Sequence, residues 1–196
     1  MDIIKHYDML IDEENDLFRD PPVLQEYMNK WDGQIFLDFM QLDKAKTVLE
    51  IGVGTGRIAA KVAPNCFHFT GIDISPKTIE RARINLAAHS NIFLVCDDFL
   101  NYRFETTFDV VYSSLIMMHF EDKQKVIEKV DSLLKNGGVF CLSIDKNKSN
   151  YIDLENRKVT VFPDTTDNII FLVEKTKMEV VCVKEIENTF IIVCNK

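Results

Sequence analysis

The stretch Thr47-Val-Leu-Glu-Ile-Gly-Val-Gly-Thr-Gly-Arg57 decides what the rest of the chain can be. Its apolar residues Val48, Leu49 and Ile51 form a short run with β-branched side chains, which is typical of a strand buried in a parallel sheet. Residues 57–63 then have the pattern of a helix. A strand that turns through glycines into a helix brings bare backbone close to a ligand, because glycine lacks a Cβ and the first N–H groups of a helix have no partner within it. The stretch therefore predicts a ligand site at the end of a strand.

The spacing of the glycines separates two classes of ligand. Gly52, Gly54 and Gly56 alternate, whereas a dinucleotide site has the pattern G-x-G-x-x-G and binds a pyrophosphate at the helix N-terminus. Glu50 lies two positions before the first glycine, and its carboxylate would repel a pyrophosphate but attract an ammonium group. The pattern Glu50-x-Gly52-x-Gly54-x-Gly56 resembles motif I of the class I S-adenosylmethionine-dependent methyltransferases.

This resemblance implies a fold and a cofactor. The fold is α/β and Rossmann-like, with a seven-stranded, mostly parallel sheet in the order 3-2-1-4-5-7-6, helices on both faces and a C-terminal antiparallel hairpin. The cofactor is S-adenosyl-L-methionine, whose ammonium group is expected at the backbone carbonyls around Gly52 and at Glu50. The resemblance extends from about Thr47 to the end of the sequence.

An acidic residue ends the second predicted strand, Phe67–Asp73. Asp73 lies where a carboxylate can accept hydrogen bonds from ribose hydroxyls, and it matches motif II of the resembled family. A charged helix cap is the alternative role. Ile74, the next residue, is expected at the same edge of the cofactor, and a helix is predicted over residues 75–89.

Two adjacent acids follow the third predicted strand, Asn91–Cys96. The resemblance implies that Asp97 accepts a hydrogen bond from the exocyclic amine of adenine and that the backbone N–H of Asp98 meets a ring nitrogen. Phe99 is expected to pack against the adenine. Because the two acids are neighbours, the assignment stays open by one position.

The end of the fourth predicted strand, Phe108–Ser114, bears on the class of substrate. Amino-methylating DNA methyltransferases carry a pair of prolines at this place, whereas this chain reads Ser113-Ser114-Leu115-Ile116. The apolar stretch that follows, with His119 before a short helix, resembles the small-molecule branch that includes the ubiquinone and menaquinone methyltransferases. The acceptor is therefore expected to be a small molecule, and Ser114 is expected at the cofactor.

Two residues are candidates for a catalytic base. His119, with an ordinary pKa of about 6.5, could take a proton from a substrate hydroxyl or amine, or it could cap the next helix or line the cofactor pocket. Asp145 follows the fifth predicted strand, Val139–Ile144, at the edge where open α/β sheets bind ligands. It is a candidate for a base or for a substrate contact.

The chain is predicted to form one methyltransferase domain with three parts. The parts are a helical lid over 1–45, the cofactor-binding core over 46–145, and a substrate-side loop, last helix and β-hairpin over 146–196. Trp31, in the lid, is either a packing anchor or a wall of the site. A helix over Asp122–Lys135 is predicted to end in a left-handed cap at Asn136-Gly137-Gly138.

Composition excludes several classes of function. The formal net charge is −8, so phosphate backbones are repelled and nucleic acid is not an expected substrate. The five cysteines are scattered without C-x-x-C pairs, which fits reduced thiols of the cytoplasm better than disulfides or a metal site. No stretch has the length of a membrane span, and the N-terminus lacks the pattern of a signal peptide. We expect a cytoplasmic protein without a metal, and the oligomeric state is not readable.

These patterns together predict methyl transfer from S-adenosyl-L-methionine to a nitrogen, oxygen or carbon atom of a small molecule. The transfer is expected to be in line and to depend mainly on positioning. Two alternatives stay open. One is a non-catalytic S-adenosylmethionine-binding regulatory module. The other is a nicotinamide-dependent oxidoreductase, which the glycine spacing and Glu50 disfavour.

Overall fold

A computed structural model describes residues 2–154 and 157–196 of the chain. Its main sheet has seven strands in the order β3-β2-β1-β4-β5-β9-β8, and β6 and β7 form a separate hairpin. The strands are β1 (Thr47–Ile51), β2 (His68–Asp73), β3 (Ile92–Cys96), β4 (Phe108–Ser114), β5 (Leu134–Asp145), β6 (Tyr151–Leu154), β7 (Arg157–Thr160), β8 (Glu179–Glu185) and β9 (Thr189–Asn195).

The direction and order of the strands confirm the predicted fold. Strands β1 to β5 are parallel, β9 is antiparallel to β5, and β8 is antiparallel to β9. Because β8 and β9 are the sixth and seventh strands of the main sheet, its order is the one that the resemblance implies. The strand order reverses between β1 and β4, and open α/β sheets bind ligands at the carboxyl ends of strands at such a point.

Helices cover both faces of the sheet. They are α1 (Ile3–Asp12), α2 (Pro22–Met28), α3 (Gly33–Phe39), α4 (Ala59–Val62), α5 (Pro76–Asn85), α6 (Lys123–Leu133) and α7 (Thr166–Val173). Short 3₁₀ turns lie at Ala63–Asn65 and Met117–His119. None of the described helices is long and apolar enough to cross a membrane.

Side chains of β1 alternate between two apolar clusters, one on each face of the sheet. Leu49 and Ile51 belong to the cluster with α6 and α7, and Val48 belongs to the cluster with α3 and α4. Glu50 shares the face of Val48, where Tyr112 is also buried. A carboxylate in the middle of a buried strand costs free energy unless it has a partner, so Glu50 must be matched by other groups.

The segment predicted as a helical lid begins with a helix whose bounds the sequence pattern did not predict. Helix α1 begins after Asp2, whose side chain accepts a hydrogen bond from the N–H of Ile4 (3.4 Å). It packs against α5, where Asp8 accepts hydrogen bonds from the Ser75 hydroxyl (2.7 Å) and the Lys77 backbone N–H (3.2 Å). Its acidic residues thus bind other elements, and they obscured the apolar periodicity of the segment.

The predicted end of α6 is wrong. The helix ends at Leu133 and the next residue is already extended, so β5 begins without the left-handed cap expected at residues 136–138. Gly137 has a φ of +79°, but it lies inside β5, where its N–H donates to the carbonyl of Lys196 (2.6 Å) and the register with β4 shifts. The glycines therefore allow the irregular backbone at the start of β5. Helix α5 also ends earlier than predicted, at Asn85.

Gly56 lies against the residue that follows α5. It has a φ of +97°, and a Cβ there would lie 2.8 Å from Cδ1 of the buried Leu86. We expect Gly56→Ala to lower the free energy of unfolding by about 1–3 kcal/mol, because the backbone is strained and Leu86 must move. Urea denaturation measures this loss.

Gly137→Ala is the matched control for Gly56→Ala. Gly137 also has a positive φ, of +79°, but an added Cβ would meet no atom within 4 Å. Equal losses in the two variants would contradict the role of Leu86. A double-mutant cycle with Leu86→Ala measures the contact directly.

Candidate functional site

A cavity of about 360 Å³ lies at the carboxyl ends of β1, β2, β3 and β4. Small-molecule sites usually measure about 300–1,000 Å³, so a cofactor-sized ligand is compatible with it. From the N-terminal segment, Ile3, Tyr7, Leu17 and Met28 line the same cavity. The predicted site residues that line it are Glu50, Gly52, Gly54, Asp73, Ile74, Asp97, Asp98, Phe99, Ser114 and His119.

Two predicted site residues are not brought to this cavity. Gly56 faces Leu86 and serves the packing of the turn against the chain after α5. Asp145 lines a neighbouring cavity at the end of β5. The three alternating glycines thus have different roles. Gly56 allows close packing against Leu86, whereas Gly52 and Gly54 line the cavity.

The turn after β1 exposes its backbone to the cavity. Gly52 and Gly54 have φ values of +76° and +55°. A Cβ on Gly52 would lie 2.3 Å from Cγ1 of Ile116, so the absence of a side chain here admits Ile116. A Cβ on Gly54 would meet no atom within 4 Å. Gly54 therefore leaves a space in the cavity wall that a side chain would fill and that a ligand can use.

Asp73 is held at the tip of β2 by backbone N–H groups. Its Oδ2 accepts a hydrogen bond from Gly54 (3.0 Å), and its Oδ1 accepts one from Ser75 (3.0 Å). Burial raises the pKa of this carboxyl, and the hydrogen bonds oppose that shift. Each oxygen retains acceptor capacity, so the carboxylate can also accept hydrogen bonds from two hydroxyls of a ligand. The contact with Gly54 fixes the glycine turn relative to β2.

The two acids after β3 have different contacts. Oδ1 of Asp98 accepts a hydrogen bond from the N–H of Asn101 (3.0 Å), so this side chain caps the following turn. Oδ1 of Asp97 accepts one from the N–H of Asp98 (2.7 Å), which is the group predicted to meet adenine. Phe99 is 4% exposed and packs edge to face on Phe120, so little of its ring reaches the cavity. Asp97 is thus the acid that is free of a capping role.

Glu50 is a buried acid behind the glycine turn. It is 2% exposed, and its Oε2 accepts a hydrogen bond from the Tyr112 hydroxyl (2.7 Å). Burial raises the pKa of Glu50 well above its ordinary value, and Tyr112 and the charge of Arg57 act in the opposite direction. A cation in the cavity would favour the ionised carboxylate, so Glu50 is suited to bind an ammonium group.

Sequence analysis missed a buried ion pair beside Glu50. The two terminal nitrogens of Arg57 donate to the two oxygens of Asp32, with 3.1 Å between Nη1 and Oδ1. Asp32 is 3% exposed, caps α3 through the N–H of Gly33 (2.7 Å) and accepts a hydrogen bond from the Ser114 hydroxyl (3.1 Å). It therefore joins the N-terminal segment to the ends of β1 and β4. Its place before a glycine at a helix start is a capping signal that could have identified it.

Helix α1 brings a tyrosine to the candidate base. The Tyr7 hydroxyl lies 2.8 Å from Nε2 of His119, whose Nδ1 is buried without a hydrogen-bond partner among the described residues. Burial, with the charges of His6 and Lys123, lowers the pKa of His119 to about 4. Burial and the charge of Asp73 raise the pKa of Tyr7. Since a base is most effective when its pKa is near the working pH, His119 is a poor base at neutral pH and instead positions Tyr7.

Negative charge dominates the wall of the cavity. Among the described residues that line it, the basic side chains are Arg57, which is already paired with Asp32, and His119, whose lowered pKa favours the neutral form. The carboxylates that line it belong to Glu50, Asp73, Asp97 and Asp98. Such a wall favours a ligand that carries positive charge and disfavours one rich in phosphate. S-adenosylmethionine, with a sulfonium and an ammonium group, fits this charge and the open space at Gly54.

Comparison with known families finds one that matches the middle of the chain. Residues 48–138 match the model of a family described as a methyltransferase domain. The matched stretch includes the ends of β1, β2, β3 and β4, which line the cavity. This match confirms the resemblance predicted from the glycine motif.

Curated relatives share part of their length with this chain. Malonyl-[acyl-carrier protein] O-methyltransferase 1 of Ilyobacter polytropus is 30% identical over 124 residues, which are 62% of this chain and 46% of that protein. The ubiquinone biosynthesis O-methyltransferase of Nitrosomonas europaea is 29% identical over 118 residues, which are 55% of this chain and 47% of that protein. The chain thus spans about half the length of these relatives.

Solved structures have the same fold over nearly the whole chain. The N-methyltransferase NodS of Bradyrhizobium japonicum WM9, in complex with S-adenosyl-L-homocysteine, matches 95% of this chain and 97% of its own, with a TM-score of 0.71 and 19% identity. The [4+2]-cyclase SpnF matches 99% of this chain and 94% of its own, with a TM-score of 0.80 and 13% identity. At such identities these matches establish the Rossmann-like fold.

Asp73→Ala tests the ribose assignment. The variant loses a carboxylate that faces the cavity, so we expect the affinity for S-adenosyl-L-homocysteine to fall by about 1–3 kcal/mol, as for lost hydrogen bonds to a charged group. Calorimetric titration measures the change. Asp109→Ala is the matched control, because Asp109 also accepts a backbone N–H, that of Thr47 (2.8 Å), but lies outside the cavity. Unchanged affinity in Asp73→Ala would refute the assignment.

His119 should make stability depend on pH. The pKa of His119 is about 4 in the folded protein and about 6.5 in the unfolded chain. As the pH falls below about 6.5, His119 is therefore protonated in the unfolded chain before it is protonated in the folded protein. Its contribution is therefore complete above pH ~6.5 and declines towards pH ~4, by at most about 3 kcal/mol. The free energy of unfolding is measured with denaturant across this pH range for the protein and for His119→Gln. Because all other groups titrate in both proteins, the difference between the two profiles isolates the contribution of His119. Parallel pH profiles would contradict the buried neutral imidazole.

Proposed function

We propose that the protein is an S-adenosylmethionine-dependent methyltransferase that acts on a nitrogen, oxygen or carbon atom of a small molecule. The observation that carries the proposal is the convergence of three features on one cavity. They are the open backbone at Gly54, the fixed carboxylate of Asp73 and the acids that follow β3. The family match over residues 48–138 supports the same cofactor.

Groups in the cavity correspond to the parts of this cofactor. Glu50 suits the ammonium group of the amino-acid tail. Asp73 suits the ribose hydroxyls, and Asp97 suits the exocyclic amine of adenine. The bound cofactor supplies a methyl group on a sulfonium, and the leaving group is a neutral thioether. The protein therefore needs no group to stabilise a developing anion there.

The protein's own contribution is to hold the acceptor in line and to exclude water. Positioning of this kind contributes up to about 7–11 kcal/mol. Residues 1–45 supply side chains that cover the cavity, including Tyr7 and Met28, and we assign them the role of a lid. The Tyr7 hydroxyl, held by His119 at 2.8 Å, is placed to hydrogen-bond a ligand of this cavity rather than to remove a proton.

A nicotinamide-dependent oxidoreductase is disfavoured by charge. Dinucleotides carry a pyrophosphate, which requires free N–H groups and positive charge at the glycine turn. Here the Gly54 N–H donates to Asp73, and the guanidinium of Arg57 is paired with Asp32. The carboxylate of Glu50 lies in the same wall. A pyrophosphate would find this N–H group and the guanidinium already occupied, and the carboxylates of Asp73 and Glu50 would repel it.

A second candidate function is a reaction other than methyl transfer on the same fold. One observation favours it, namely the TM-score of 0.80 to the [4+2]-cyclase SpnF over 99% of this chain. A fold that hosts different reactions does not by itself specify the chemistry. The decisive measurement must therefore detect a transferred methyl group and not binding alone.

The acceptor is proposed to be a free metabolite of the cytoplasm. The formal net charge of −8 disfavours nucleic acid as a partner. Cys66, Cys141 and Cys194 are buried and unpaired, as expected for thiols kept in a reducing compartment.

Two measurements test the proposed function. Calorimetric titration should show binding of S-adenosyl-L-homocysteine and no binding of NAD, because the wall of the cavity is negative. Incubation with methyl-labelled S-adenosylmethionine and fractionated metabolite extracts should transfer label to a small molecule. Binding of NAD in place of S-adenosyl-L-homocysteine would overturn the assignment, and binding without any turnover would favour the non-catalytic alternative.

Gly54→Ala is the matched variant for both measurements. Its Cβ would occupy the open space in the wall, so binding and turnover should both fall. Gly137→Ala controls for the backbone, because Gly137 has a similarly positive φ but lies outside the cavity. Loss of binding in Gly137→Ala as well would show that strain, and not the filled space, is responsible.

A further inference from the structure

A second cavity, of about 470 Å³, adjoins the first. Leu115 and Met118 line both cavities, so these two side chains stand between them. Leu115 has a φ of +60°, a conformation that a branched side chain rarely adopts, and its N–H donates to the carbonyl of Ser143 (3.2 Å). Strain of this kind is concentrated at functional sites. A molecule in the second cavity would lie next to the methyl donor proposed for the first.

The lining of the second cavity is acidic. Its carboxylates come from the end of β5, from β6 and from the segment before α7, as Asp145, Asp153 and Asp164. None of the described residues that line it is a lysine or an arginine. Tyr151 also lines it and is 44% exposed, so an aromatic ring lies at its edge.

Two of the three carboxylates are paired with cations. Nζ of Lys158 lies 3.1 Å from Oδ2 of Asp153. Nζ of Lys123 lies 3.6 Å from Oδ1 of Asp164, and Lys148 donates to the carbonyl of Asp164. These lysines neutralise the charges of Asp153 and Asp164, although none of the three lines the cavity.

Asp164 still has unused capacity to accept hydrogen bonds. It is 4% exposed, and its Oδ1 receives no hydrogen bond from any residue that the structure describes. A buried acceptor without a donor costs free energy, so a donor supplied by a ligand would be stabilising. This observation is independent of the charge count and indicates a ligand that donates a hydrogen bond.

Asp145 is the carboxylate without a cation. Its Oδ1 accepts a hydrogen bond from the N–H of Asn147 (2.7 Å), and its Oδ2 accepts one from Nε1 of Trp31 (3.4 Å). No lysine, arginine or histidine of the described chain forms an ion pair with it. A carboxylate offers about four acceptor sites, so roughly half of them remain for a ligand.

We propose that the second cavity is the acceptor site and that it takes a cationic amine, anchored by Asp145. This inference rests on the proposed function and narrows its substrate class. An anionic acceptor would meet carboxylates without a basic partner in the lining, and an alcohol would leave the charge of Asp145 uncompensated. An ammonium group supplies the charge and up to three hydrogen bonds. The hydrogen bond from Trp31 Nε1 (3.4 Å) holds the carboxylate of Asp145 in place.

The reaction of such an acceptor balances without a further reactant. The bound ammonium group releases one proton to water. Its nitrogen lone pair then forms the C–N bond with the methyl carbon as the C–S bond breaks, and the electrons of that bond remain on sulfur. The products are a methylated ammonium ion, S-adenosyl-L-homocysteine and the released proton.

The test compares three probes on one carbon skeleton, phenethylamine, 2-phenylethanol and phenylacetate. Each is titrated into the protein saturated with S-adenosyl-L-homocysteine, and each is incubated with labelled S-adenosylmethionine. We expect the amine to bind at least about tenfold more tightly than the alcohol, as for a charged hydrogen bond, and the acid not to bind. Mass spectrometry should find the label on nitrogen.

Asp145→Asn and Asp153→Asn are matched variants. Asp145→Asn should remove the preference for the amine, whereas Asp153→Asn should retain it, because Asp153 is already paired with Lys158. Affinity for S-adenosyl-L-homocysteine should be unchanged in both, since neither residue lines the first cavity.

The outcomes separate this inference from the proposed function. If S-adenosyl-L-homocysteine binds but the alcohol or the acid binds as tightly as the amine, or no probe binds, the amine assignment is overturned and the methyltransferase assignment stands. The same holds if Asp145→Asn keeps the preference. If S-adenosyl-L-homocysteine does not bind, both are overturned.

Discussion

The hydrogen bond from the Gly54 N–H to Asp73 holds the cofactor side of this protein together. It joins the turn after β1 to the tip of β2, and it does so with the carboxylate that faces the cavity. The turn can make this bond because its glycines accept positive φ values at which other residues would be strained. The same bond occupies an N–H group that a pyrophosphate would need. One interaction therefore sets both the shape of the crevice and the charge of the ligand that it accepts.

Polar contacts connect the N-terminal segment to that crevice from several sides. Asp32 receives the guanidinium of Arg57 and the hydroxyl of Ser114, and Tyr7 meets His119. At the C-terminal end of α1, Arg157 of β7 pairs with Glu13. These contacts act together with the apolar residues of α3, which belong to one of the two clusters, and give the segment a defined place over the cavity. The segment is thus part of the binding site and not an appendage.

Whether a structural feature could be predicted depends on the kind of signal that it leaves in the sequence. The strands and their order were predictable because buried parallel strands leave apolar runs, and because Gly52, Gly54 and Asp73 occur at a recognisable spacing. The bounds of helix α1 were missed because its acidic residues pair with α5 and β7 across long separations, which no local pattern records. The partners of Arg57 and His119 were missed for the same reason. The cap at residues 136–138 was wrong because paired glycines also occur at irregular strand starts.

The two cavities draw on almost separate stretches of the chain. The first is lined by residues up to Phe120, the second by residues from Leu115 to Asp164, and they overlap at the tip of β4 and the turn after it. Changes in β6, β7 and the segment before α7 can therefore alter which acceptor is accommodated while the cofactor half stays intact. Under the proposed function, related chains can therefore differ in substrate while they keep the same cofactor cavity. Leu115 and Met118 are the exception, because they line both cavities and a replacement of either changes both.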